Sequence, residues 1–166
     1  LFEGEPDTQG EIIFLGNSIT EGGKWKALFP DQNVINRGIS GDVAGGIVNR
    51  LDEVMSSGPA KVFIMIGTND LARGKDIEYV LQGTQTILER IMEKSDNTTV
   101  YLQSILPVNP TVGDRFSGHK GNHQKILESN KANQFYRGPW HERFLFLLLI
   151  LAYEIHNYHL IKSSLL

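Results

Sequence analysis

The chain is 166 residues long, 40% hydrophobic and 21% charged, which suits one ordinary domain with a buried core and is too apolar for a disordered chain. Its formal net charge of −3 gives no general attraction to phosphate backbones or anionic membranes, so nucleic acid is not an expected partner. It has no cysteine, which excludes disulfides, thiolate metal sites and cysteine nucleophiles and fits either a reducing or an oxidising compartment, cytoplasmic or exported.

The first ten residues are polar and hold Gly4, Pro6 and Gly10, so they read as a lead-in arm. Leu1 in place of Met points to a processed or trimmed start. Glu11 to Leu15 reads as a buried strand, Trp25 to Phe29 as a short helical piece closed by Pro30, and Asn33 to Asn36 as a second strand. Val43 to Met55 carries Val43, Ile47, Leu51, Val54 and Met55 at helical spacing. Asp42 is its expected N-cap and Gly58-Pro59 its stop. Lys61 to Ile66 is an uncharged apolar run after its first residue, as expected of a parallel strand covered on both faces. Ile77 to Met92 aligns Ile77, Val80, Leu81, Ile87, Leu88 and Ile91 along one side of a helix. Thr99 to Leu106 is the fourth strand, Pro107 to Gly121 a loop, and Gln124 to Phe135 a further helix. Strands and helices alternate, which predicts an α/β domain with a mainly parallel sheet and helices on both faces.

The segment after about Asn130 differs in character. The last Asp is Asp114, and Phe144 to Tyr153 is an apolar run of ten residues, short of the roughly 20 a membrane-spanning helix needs. Residues 131–166 therefore read as an atypical tail of a single domain spanning 1–166. Two readings stay open: a last buried strand or helix, and a C-terminus altered by a reading-frame change. Exposed, this Leu/Phe-rich tail would drive homodimerisation or aggregation.

Chemistry concentrates at the strand ends. Gly16-Asn17-Ser18-Ile19 sets a serine directly after Ile12-Ile13-Phe14-Leu15, where ligands gather in open α/β sheets. Taken alone, Asn-Ser is ordinary turn chemistry. Gly22-Gly23-Lys24 fails as a phosphate loop, because Ser18 and Trp25 stand where that motif needs glycine and Ser or Thr. Two further blocks follow at strand ends, Gly38-Ile39-Ser40-Gly41-Asp42 and Gly67-Thr68-Asn69-Asp70. Each taken alone reads as a turn glycine or a helix-capping pair. Together they supply a glycine amide that lets a substrate approach and an asparagine NH2 donor, the parts that stabilise an oxyanion.

With these blocks the chain resembles the SGNH hydrolases, also called GDSL lipases and esterases, most closely the branch that includes platelet-activating-factor acetylhydrolase-like proteins. Gly16-Asn17-Ser18-Ile19 is similar to the family's Gly-Asp-Ser block, Asn36 to Asp42 to the glycine block, and Gly67-Thr68-Asn69-Asp70 to the Gly-x-Asn-Asp block, in order, with the likeness extending through about residue 130. The resemblance implies a flavodoxin-like three-layer α/β/α sandwich. It implies Ser18 as nucleophile and an oxyanion hole of the Ser18 amide, the Gly41 amide and the Asn69 side chain. In such a fold the loop after the fourth strand, with Asp114, would border the pocket and help choose the substrate, and a plain surface loop is the equally open alternative. No metal or organic cofactor is implied.

One departure is large. The family's last block, Asp-x-x-His, is absent, and a serine is a weak nucleophile without an imidazole to take its proton. His156 and His159 lie nearest the expected place, although Glu154 precedes His156 by two residues rather than three. His119 and His123, four apart with Gly121 between them, read as loop histidines rather than metal ligands, and His141 as a surface or turn residue. The expected function is hydrolysis of small acyl esters, such as acetylated carbohydrate or short-chain lipid esters, through an acyl-enzyme. The alternative is a non-catalytic or impaired member that binds carbohydrate or a protein partner.

Overall fold

The computed structural model describes residues 8–108, 117–134 and 144–147. Its centre is a five-stranded sheet in the order β2-β1-β3-β4-β5, every neighbouring pair parallel. The strands are β1 (Ile12–Gly16), β2 (Val34–Gly38), β3 (Lys61–Met65), β4 (Thr99–Gln103) and β5 (Phe144–Leu147). This is the flavodoxin-like order, whose switch point lies between β1 and β3. The main helices are α3 (Ala44–Ser56), α5 (Ile77–Lys94) and α7 (His123–Gln134). Four short ones accompany them: α1 (Ser18–Glu21), α2 (Trp25–Leu28), α4 (Thr68–Ala72) and α6 (Ser117–Lys120).

Strand alternation sorts the core into two faces. Ile13, Leu15, Val62, Ile64, Val100 and Leu102 face one way and pack with Ile47 and Leu51 of α3 and Ile87 and Ile91 of α5. Ile12, Phe14, Phe63 and Tyr101 face the other way with Trp25 and Phe29. On that face Phe14 stacks on Trp25 at 3.9 Å and on Phe63 at 5.0 Å, and Phe63 on Tyr101 at 4.4 Å. A third cluster joins Leu71, Val80, Ile105 and Ile126, which ties α4 and α7 to the end of β4. The result is the expected three-layer α/β/α sandwich. Among the described residues no helix is long and apolar enough to cross a membrane.

Three local readings change. Asp42 does not cap α3: the N-cap is Val43, without a side-chain bond, because the Asp42 carboxylate is drawn to Arg50 at 2.8 Å. The stretch read as a loop after β4 contains α6, which contacts α4, and Gly118 fits there because a Cβ would stand 3.0 Å from the Ala72 carbonyl. His119 and His123 accordingly lie on helices rather than in a loop. Within the tail, Phe144–Leu147 pairs in parallel with β4. The remainder from 148 onward, with the altered-terminus reading, lies outside the described residues.

Candidate active site

The carboxyl ends of three strands are in register: Gly16 pairs with Gly38 on one side and with Met65 on the other. The three polar-glycine blocks therefore leave the sheet side by side at its switch point. Glycine is required at two of these ends by close approach. A Cβ on Gly16 would collide with the Thr20 hydroxyl and stand 2.5 Å from the Met65 carbonyl. One on Gly38 would strike the backbone of Thr20 and Glu21. Both contacts seat α1 tightly on the ends of β1 and β2.

Ser18 is the first residue of α1 and is exposed. Asn17 caps this turn, its Oδ1 accepting from the Ile19 amide at 3.0 Å. Asn17 itself is buried, and its Nδ2 has no hydrogen-bond partner among the described residues. Trp25 Nε1 donates to the Thr20 carbonyl at 2.8 Å, which links the serine turn to the aromatic layer beneath it.

The second block is fastened to the first by the Ile39 amide, which donates to the Gly16 carbonyl at 3.0 Å. Arg50 reinforces the joint: Nη2 donates to the Gly16 carbonyl at 3.3 Å and to Asp42 at 2.8 Å. Gly41 sits at φ +79°, a left-handed conformation that favours glycine. The third block closes on the second. Asn69 Nδ2 donates to the Asp42 carbonyl at 2.8 Å, and Arg73 Nη2 to the Gly41 carbonyl at 2.8 Å. Asp70 is buried, and its carboxylate accepts from the Ala44 amide at 3.2 Å. It thereby satisfies one of the free amides at the start of α3. Burial pushes the Asp70 carboxyl up, opposed by the Ala44 amide and by the nearby Arg73 charge.

Gly41 and Asn69 are thus held in one hydrogen-bonded frame with the strand end that carries Ser18. His156, His159 and His141 lie outside the described residues, as does Asp114. His119 Nδ1 is 3.4 Å from the Thr68 hydroxyl, beside the third block. Local sequence reading misses Arg50, Arg73 and the capping role of Asp70. Their partners are 34, 32 and 26 residues away along the chain, and no local pattern announces such pairings.

A family model described as "GDSL-like Lipase/Acylhydrolase family" matches residues 14–134. Platelet-activating factor acetylhydrolase IB subunit alpha1 of Bos taurus is 28% identical over 107 residues, covering 61% of this chain and 45% of that protein. An arylesterase of Vibrio mimicus is 29% identical over 122 residues, covering 64% of this chain and 60% of that protein. The chain thus spans about half the length of the curated relatives it matches. A solved structure from Streptococcus pneumonia, described as a platelet activating factor candidate, superposes with a TM-score of 0.74. It is 25% identical and covers 89% of this chain and 69% of its own. The family model spans most of the chain and all three strand-end blocks, and the chain belongs to the GDSL-like lipase/acylhydrolase family.

Proposed function

We propose that the protein is a serine ester hydrolase that cleaves small acyl esters, such as acetylated carbohydrate or short-chain lipid esters, through an acyl-enzyme. Ser18 Oγ attacks the ester carbonyl. The Ser18 and Gly41 amides and the Asn69 side chain hold the resulting oxyanion. The alcohol leaves with a proton, and water then attacks the acyl-Ser18 ester to release the acid and regenerate the hydroxyl.

The observation that supports this most is the bond from Asn69 Nδ2 to the Asp42 carbonyl. It uses one of the two amide hydrogens and fixes the group beside Gly41, so the second donor is held without reorganisation. Donors fixed in this way are usually a large catalytic term.

The base is assigned to His156. β5 runs parallel to β4, so Leu147 ends at the edge where Ser18 stands, and His156 follows nine residues later. His159 is the neighbouring choice.

Hydrolysis of p-nitrophenyl acetate tests the reading. Ser18→Ala should reduce the wild-type rate by at least about 1000-fold, and His156→Ala by several orders of magnitude. Equal rates for wild type and Ser18→Ala would remove Ser18 from the chemistry and favour a binding role for the fold.

A further inference from the structure

We propose that Arg73 is a substrate-binding residue that selects esters carrying an anionic group, a carboxylate or phosphate, close to the reacting carbonyl. The inference rests on the reading of Gly41 as an oxyanion donor and adds a substrate class to it.

Arg73 ends α4, where its amide donates back to the Asn69 and Asp70 carbonyls. Its side chain is exposed and crosses to the second block, where Nη2 meets the Gly41 carbonyl at 2.8 Å. A Cβ built on Gly41 would have Arg73 Nη2 as its one neighbour within 4 Å among the described residues, at 3.8 Å. The open flank of Gly41 is therefore bordered by a guanidinium.

That guanidinium has donors to spare. It carries five N–H groups, and the bond to Gly41 uses one of them. Among the described residues no carboxylate pairs with it, because the nearby acids are engaged elsewhere. Asp42 is held by Arg50 and by the Val43 amide, and Asp70 by the Ala44 amide. A guanidinium without a salt-bridged carboxylate among the described residues, held in place by a backbone bond and facing solvent beside Gly41, is suited to a ligand anion. The planar fork of arginine matches carboxylate and phosphate in particular. A role limited to holding Gly41 would need one neutral donor and no charge.

The test compares 4-acetoxybenzoate with its uncharged methyl ester, which shares the same reacting acetyl group. In the full chain, the ratio of kcat/KM for the anion to that for the methyl ester should fall roughly tenfold in Arg73→Gln, with part of it restored in Arg73→Lys. The wild-type ratio should also shrink as salt is raised. A ratio unchanged by Arg73→Gln, whatever happens to the separate rates, would overturn the proposal and leave Arg73 a structural clamp. If neither ester is turned over, the hydrolase reading fails for this chain, and titration calorimetry on Ser18→Ala decides the point independently. Tighter binding of 4-acetoxybenzoate than of the methyl ester, lost in Ser18→Ala/Arg73→Gln, would support an anion site at Arg73. Equal binding of the two probes would overturn it.

Discussion

The side-chain amide of Asn69 donates to the backbone carbonyl of Asp42 at 2.8 Å, which joins the loop after β3 to the loop after β2. One bond thus orients a side-chain donor and steadies the glycine next to Asp42. Asn69→Ala removes both effects. The expected outcome is a kcat about 100- to 1000-fold lower on p-nitrophenyl acetate, with a stability loss of only about 1 kcal/mol for the missing hydrogen bond. Steady-state kinetics and a urea denaturation curve on one preparation separate the two. A large drop in the urea midpoint with kcat preserved would make Asn69 a structural residue.

Gly38 carries α1 rather than a substrate. A Cβ there would lie 2.6 Å from Glu21 Cα, and backbone cannot move aside as a flexible side chain can. Gly38→Ala should cost about 1–3 kcal/mol through overpacking and displace the turn that presents Ser18. Both the urea midpoint and kcat should fall. A midpoint equal to wild type would mean that α1 is not seated on β2 as described.

Asp70 gives the site a pH signature. Burial raises its folded carboxyl above the ordinary value of 3.8, outweighing the Ala44 amide and the Arg73 charge. The folded state then keeps this proton where the unfolded chain has released it. Its contribution is full below the unfolded value and is lost as pH rises through the raised folded value. Asp70→Asn cannot titrate, so the stability of wild type relative to the variant should decline as pH increases across that window. Urea midpoints of both proteins between about pH 3 and pH 8 check the sign. A relative stability that climbs with pH would show that hydrogen bonding, not burial, governs this carboxylate.

Trp25 joins the aromatic layer to the serine turn. It stacks on Phe14 at 3.9 Å and donates to the Thr20 carbonyl at 2.8 Å. Trp25→Phe keeps much of the stacking and drops the hydrogen bond, for an expected loss of about 1 kcal/mol. The melting temperature should fall by several degrees, with KM less affected than kcat because the bond supports the turn that carries Ser18. An unchanged melting temperature would show that the bond contributes nothing net.

The parts of this fold legible in the sequence are those governed by nearby residues. β1 and β3 show as apolar runs because both their faces are buried, and α5 shows through Val80, Ile87, Leu88 and Ile91 on one side. The first and third blocks of the site are readable because each directly follows such a strand, whereas the second follows β2, a half-buried strand that carries Asn36 and Arg37. Asp42 fits a capping pattern in the sequence but does not cap α3, because its partner Arg50, eight residues on, lies outside any capping pattern. α6 escaped because Ser117-Gly118-His119-Lys120 has no helical periodicity and is shaped by its contact with α4. The frame of Arg50, Asn69, Asp70 and Arg73 is made by the sheet register, which sets chain segments side by side that are distant in sequence.

Whether Ser18 is an activated nucleophile in this chain is tested most directly by covalent capture. The full chain is treated with a fluorophosphonate probe and mapped by peptide mass spectrometry, with Ser18→Ala alongside. The expected result is a single phosphonylated residue, Ser18, with labelling abolished in Ser18→Ala and strongly slowed in Asn69→Ala and His156→Ala. A folded chain in which Ser18 stays unmodified, or in which Ser18→Ala is labelled as readily as wild type, would contradict it.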